Sequence, residues 1–398
     1  EEEEEDERPE EKEKQEEQEK KLREFLLKTS TMKKEEDRRQ KMEWLIQLID
    51  GSKVLWNASS GGHVKIVEQL LNVNVAVSNG ATALSAACSF RHIEVINLLI
   101  EAGSDVNQTK TADGMSPLLH SACGGYVDIV ALLLRATDID VNISNRDGVV
   151  PLLGAVDFSQ VNVVQLLLSA KDIHVNHCDK NGSTSLSIAS RSGNAEIVEL
   201  LLQAGSGVNI STNLGVTPLY VSSHEGNCEV VKLLLAAKDI DVNQPEIRDG
   251  SFPLYISAQK SHIDVVKLLL GAKGIQVNQS TNDGRTSLHT ASQQGNLAVV
   301  KLLLTIKDID INRHNNQEVT PLFIASIQGH TDIVRLLLQQ PNIDIKKNPT
   351  GVSAIGIAKD QGHHEIVRLL TDACGTKKNL NNEKVKQLID MGFDSASA

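Results

Sequence analysis

Asn181-Gly182-Ser183-Thr184-Ser185-Leu186, followed by Ala189-Ser190, Gly193-Asn194, Ile197-Val198, Leu200-Leu201-Leu202 and Val208-Asn209, is one unit of a pattern that recurs along most of the chain. Aligned on Leu186, the same residue returns at Leu84, Leu118, Leu152, Leu219, Leu254, Leu288 and Leu322. The period is about 34 residues, and Leu55 and Ile355 extend the series at either end. In such a series each unit buries its apolar face against its neighbours, so the 398 residues predict one stack of about ten repeats and not two or three globular domains.

Each piece of the unit has a physical task. Thr217-Pro218 and Thr320-Pro321 place a hydroxyl cap before a proline at the first helical position, where the missing N–H costs nothing. Small residues such as Ala291-Ser292 and Ala325-Ser326 let neighbouring helices approach. Gly226, Gly295, Gly329 and Gly362 supply the positive φ that ends the first helix. The second helix opens on an acid (Asp128, Glu196, Asp264, Asp332), carries Ile-Val and Leu-Leu-Leu on one stripe, and closes near Lys171, Lys238 or Lys307, charges matched to its dipole. A Val-Asn or Ile-Asn pair follows at Asn107, Asn142, Asn176, Asn209, Asn243, Asn278 and Asn312. The chain then enters a polar stretch that often ends in Asp-Gly, which predicts a projecting turn, or finger, between units.

Composition agrees. The chain is 40% hydrophobic but only 3% aromatic, which suits small regular helix interfaces. The net charge of -12 sits largely in Glu1 to Glu19, so a nucleic-acid partner is not expected. Cys88, Cys123, Cys178, Cys228 and Cys374 are scattered without metal-ligand or disulfide spacing, which predicts a reducing compartment. No apolar run is long enough to span a bilayer, and the Glu-rich start is unlike a signal peptide. The expectation is a soluble cytoplasmic protein, or a nuclear one, with no membrane contact. An opening Glu in place of Met is expected of a fragment or processed product.

Asp-Gly-x-Thr-Pro-Leu, Ala-x-x-x-Gly-His and Leu-Leu-Leu with Val-Asn resemble the ankyrin repeat over residues 51–375. The resemblance implies an all-α solenoid of helix-turn-helix repeats with β-turn fingers, whose finger residues and whose two positions before the turn glycine line a protein-binding groove. It also implies asparagine hydroxylation as a modification open to the inter-repeat Asn column. Some units depart from the pattern: Phe158-Ser159-Gln160 lacks the Gly-His turn, and Gln317-Glu318 stands in place of Asp-Gly. Local softness is expected at Val149 to Val161.

Residues 1–40 are a charged low-complexity tract, helical or disordered, with a coiled coil as the alternative. Met42, Leu45, Ile46 and Ile49 predict a capping helix over 41–50. The tail over 376–398 contains a short amphipathic helix followed by Met391-Gly392-Phe393. It resembles the first helix and loop of a ubiquitin-associated domain, a family in which that loop contacts ubiquitin. The second and third helices of such a domain are absent.

No phosphate loop, nucleophile elbow, zincin helix or dinucleotide fingerprint is present, so no catalytic residue, cofactor or metal is assigned. His63, His92, His262, His330 and His363 recur at one slot and are read as turn-capping; His364-Glu365 is followed by Arg368 where a zincin needs its second His. The sequons at Asn107, Asn142, Asn209 and Asn278 are read as inter-repeat backbone ties. Tyr220, Tyr255, His289 and Phe323 are read as packing between repeats.

The expected function is that of a non-enzymatic, monomeric protein-interaction scaffold or adaptor. Candidate groove residues are Phe90, Phe158, Arg191, His224, Glu225, Lys260, Gln294 and Ile327, and the finger candidates are Arg248 and Arg285. A partner protein is expected along the groove from Phe158 to Lys260. The alternatives are the client-recognition arm of a ubiquitin-pathway protein, with ubiquitin as a second partner, and part of a larger protein whose catalytic domain lies beyond the chain.

Overall fold

The computed structural model describes residues 51–72, 80–109, 113–345 and 353–375. The charged tract, the 41–50 cap and the 376–398 tail, with Met391, Gly392 and Phe393, lie outside them. The described residues are all-α and divide into two compact units, with the boundary between His174 and Val175.

Unit 1 contains α1 (Gly51–Ser60), α2 (Val64–Asn72), α3 (Gly80–Ser89), α4 (Ile93–Glu101), α5 (Pro117–Cys123), α6 (Val127–Leu133), α7 (Pro151–Asp157) and α8 (Val161–Leu168). Unit 2 contains α9 (Ser185–Ser192), α10 (Ala195–Gln203), α11 (Pro218–Glu225), α12 (Cys228–Ala236), α13 (Pro253–Gln259), α14 (Ile263–Leu270), α15 (Ser287–Gln294), α16 (Leu297–Leu303), α17 (Pro321–Ile327), α18 (Thr331–Leu338) and α19 (Ala354–Asp360), with 364–375 also helical. Within each unit, first helices stack on first helices (α3 on α5, α11 on α13) and second helices on second (α6 on α8, α12 on α14).

The caps do what their residue types predict. Thr217 and Thr320 hydroxyls accept the amides of Tyr220 (3.1 Å) and Phe323 (3.3 Å), with proline next in line. First helices are buried nearly all round, as at Pro321 to Ser326, which is why small residues are needed there. Second helices bury only a stripe, such as Ile197, Val198 and Leu201, each such side chain contributing about 1.5–3 kcal/mol. Of each leucine triplet, only the middle residue is fully buried. Lys171, Lys238 and Lys307, read as closing the second helices, lie beyond them: α8, α12 and α16 end at Leu168, Ala236 and Leu303. The backbone there tightens to i→i−3 bonds, such as Ala170 N–H to the Leu167 carbonyl (3.1 Å), before the lysine is reached.

Candidate protein-binding surface

The turn between the two helices of a repeat is locked by the following repeat. His92 Nε2–H donates to the Ser60 carbonyl (2.9 Å), His262 to His224 (2.9 Å), His330 to Gln293 (3.0 Å) and His363 to Ile327 (3.1 Å). The histidine column therefore caps turns, but it does so across repeats. Asn227 and Asn296 do the same with Ser190 (2.9 Å) and Ala258 (2.8 Å), and Gln160 reaches Cys123 at 3.4 Å. The glycine opposite is needed for space as well as for its φ. At Gly226 (φ +78°), an added Cβ would stand 2.6 Å from the His262 ring.

Three turns dispense with that glycine: Arg91 (φ 60°), Ser159 (φ 55°) and Ser261 (φ 64°) hold the left-handed slot instead. The Arg91 guanidinium lies 4.9 Å from the centre of the Tyr126 ring in the next repeat and 3.9 Å from the Asp128 carboxylate.

The fingers are held by side chains that mimic backbone. Asn278 Nδ2–H donates to the Asp308 carbonyl (2.7 Å) while its Oδ1 accepts the Asp310 amide (2.8 Å). Asn107, Asn142, Asn209, Asn243 and Asn312 repeat the arrangement within their own units. The column thus ties repeats together, as its sequence position suggested. At several finger tips an acceptor side chain, Asn145, Asp179 or Asn315, receives two amides of the turn. Glu318 takes the glycine place of its finger with φ 62°.

The finger at Pro245 to Ser251 is a residue longer than the other fingers closed by such a bond among the described residues. The Glu246 amide donates to the Ser251 carbonyl (2.9 Å), whereas the corresponding bond in the preceding finger runs from Thr212 to Val216. Glu246 is buried. Its carboxylate accepts the Asp249 (2.6 Å) and Gly250 (3.2 Å) amides and pairs with Arg248 Nε at 3.2 Å.

The candidate residues fall in both units. In unit 1, Phe90 and Phe158 are the large side chains left in solvent at the ends of α3 and α7. In unit 2, Arg191, Glu225, Lys260 and Gln294 are exposed at the ends of α9, α11, α13 and α15, and His224 is half-buried with its Nδ1 2.8 Å from the Glu225 carboxylate. Ile327 is half-buried, and its carbonyl is taken by His363. Arg248 projects from its finger, while Arg285 is held closer in, 2.9 Å from Asp283 and 3.3 Å from Gln293.

Tyr220, Tyr255, His289 and Phe323 are buried. Tyr220 Oη lies 3.2 Å from Ser251 Oγ, and His289 Nε2–H donates to the Val319 carbonyl at 3.0 Å, so this column does join repeats. The sequence reading missed Leu214 and Ile247, exposed at adjacent finger tips and joined by the Ile247 amide to the Leu214 carbonyl (2.9 Å). The signal was available for Leu214, since its slot before the turn glycine holds Asp147, Asn181 and Asp283 elsewhere.

Burial and the Asp157 charge push the Cys123 thiol up to about 11, so it stays protonated at neutral pH. Burial holds His289 down at about 4. Among the described residues no group of three or more His, Cys, Asp and Glu side chains is arranged to hold a metal ion, and no helix is long and apolar enough to cross a membrane.

A family model described as ankyrin repeats, three copies, matches residues 19–110, 103–177, 171–246, 237–315 and 305–382. The matched span thus begins before residue 51 and runs past residue 375, the limits expected from the repeat pattern. No curated protein matches the chain.

Proposed function

The chain belongs to the ankyrin-repeat family, a family of protein–protein interaction modules, and on that premise we propose that it is a non-enzymatic scaffold presenting non-repeating side chains to a protein partner. The observation that carries this reading is the contrast along the first helices of unit 2. Their repeating residues are buried and their turns are tied to the next repeat, while Arg191, Glu225, Lys260 and Gln294 stand exposed where the period imposes no residue. Rigid presentation of variable side chains lowers the ordering cost of binding. Exposed Arg and Lys can supply charge-assisted contacts at small cost to the fold when replaced.

The test is quantitative capture from lysate by the wild-type chain and by an Arg191→Glu, Lys260→Glu variant. The expected outcome is at least a tenfold loss of the partner at an unchanged melting temperature. Equal capture by the two would reject the surface. Met391-Gly392-Phe393 favours ubiquitin as a second partner; loss of ubiquitin-resin retention in a Met391→Ala, Phe393→Ala variant would support that role, and absence of retention by the wild-type chain would end it.

A further inference from the structure

One slot behaves differently in the two units. The position just before the left-handed turn residue is Gly61, Phe90, Gly124 and Phe158 in unit 1, but Ser192, Glu225, Lys260, Gln294, Gln328 and Gln361 in unit 2. In unit 1 this alternation builds relief. Phe90 is 59% and Phe158 61% exposed, and they flank a repeat that has no side chain at the slot. The Tyr126 ring packs on Gly124, where an added Cβ would stand 2.6 Å from its Cζ, so the floor between the two phenylalanines combines the exposed Gly124 backbone with the half-buried Tyr126 ring. Ile93 and Val127, 40% and 39% exposed, open the second helices beside it.

The edge is continuous. Arg91 lies over Tyr126 and near Asp128, and Gln160 reaches back to Cys123, so neighbouring turns are tied to one another. Helices pack about 8–10 Å apart, so Phe90 and Phe158, two repeats from each other, are separated by about 16–20 Å. An α-helix with its side chains is about 10–12 Å across. The saddle therefore has room for one helix laid across Gly124 between the two rings. Its rim is acidic: Glu94, Asp128 and Asp157 are exposed there, and Arg91 beside them already faces Asp128.

We propose that this saddle of unit 1 seats a basic amphipathic helix of a partner protein, apolar face on Phe90, Tyr126 and Phe158 and lysines or arginines toward Glu94, Asp128 and Asp157. The proposal deepens the protein-binding reading and rests on it, but it uses none of the unit 2 residues on which that reading is tested.

The probe is a fluorescein-labelled 18-residue leucine/lysine peptide with leucines at i, i+3, i+4 and i+7, compared with the same peptide carrying glutamate for lysine. Binding to the full chain is followed by fluorescence anisotropy. The lysine peptide should bind and the glutamate peptide should bind at least tenfold more weakly. Phe90→Ser and Phe158→Ser leave every charge in place and replace exposed side chains. Each should weaken the lysine peptide at least fivefold without moving the melting temperature, while Arg191→Glu, Lys260→Glu should bind it as the wild type does.

No binding by the wild type, or equal binding by the Phe variants, would overturn the saddle, the latter showing only attraction to an acidic protein. A dimer seen by sedimentation without peptide and dissolved by Phe90→Ser would overturn it in favour of self-association. If the saddle fails while the unit 2 charge reversal still abolishes capture, the general reading stands alone; the opposite pair of results moves binding to unit 1.

Discussion

Ser159 and Ser261 occupy a left-handed slot that their neighbours fill with glycine, and L-residues are held there at a cost of about 1–2 kcal/mol. Replacing Ser261 by Gly should raise stability by about 0.5–1 kcal/mol in urea unfolding, because relief of strain outweighs the added freedom of the unfolded chain. The reverse change, Gly226→Ala, meets both a φ of +78° and the His262 ring, and should cost more than about 1 kcal/mol. A gain on Gly226→Ala would show that the turn relaxes freely.

His289 supplies the pH dependence. Its Nδ1 accepts the Thr286 amide (3.1 Å) and its Nε2–H donates to the Val319 carbonyl, an arrangement that only the neutral ring can make. Burial lowers its pKa to about 4. As pH falls below about 6.5 the unfolded chain takes up a proton that the folded chain refuses. Stability therefore declines from there down to about pH 4, by on the order of 3 kcal/mol in total. Urea midpoints between pH 7 and 4.5 should fall more steeply for the wild type than for His289→Gln; parallel curves would remove His289 as the cause.

At the scale of the element, helix, cap and turn were legible because each is decided within a few residues. The Thr-Pro starts, the glycine stops and the acid in the first turn of α6, α10, α14 and α18 all stand where local preference puts them. The bonds between elements were legible only as a slot. The periodic Asn identified the column, but its two partners lie about thirty residues on, at a turn whose position depends on packing. Asn278→Ala removes bonds to Asp308 and Asp310 and should cost about 1–2 kcal/mol, read from chemical denaturation. A cost near zero would mean that water replaces the amide without loss. The longer finger at Glu246 was opaque for a related reason: an acidic residue there reads as solvated, and its burial follows from turn amides converging on it.

At the scale of the whole molecule, the turns differ in how well they are made. The stretch from Val149 to Val161 has a cap residue, Val150, with no side-chain bond to α7, a strained Ser159, and a 3.4 Å contact from Gln160 in place of the shorter histidine bonds. The stretch from Thr286 to Leu304 has the His289 capping box, a left-handed Gly295 and the His330 bond. Hydrogen exchange should be faster over 149–161 than over 286–304, and equal protection would contradict this reading of the turns. The candidate surface was partly legible at this scale. The slots open to variation could be counted off the period, but Leu214, Ile247 and the Gly124 saddle became visible only when neighbouring repeats were set side by side.

Residue pattern was enough to set the repeat, its all-α character, the place of the Thr-Pro caps and the columns that join one repeat to the next. Those features rest on short-range preference multiplied by a period. Packing between repeats decided which carbonyl each histidine meets and which aromatic rings are left in solvent. These outcomes depend on contacts between residues roughly thirty or more positions apart, where a change in one repeat, such as Arg91 for glycine or Gly124 between two phenylalanines, takes its meaning from the side chain opposite it in the next.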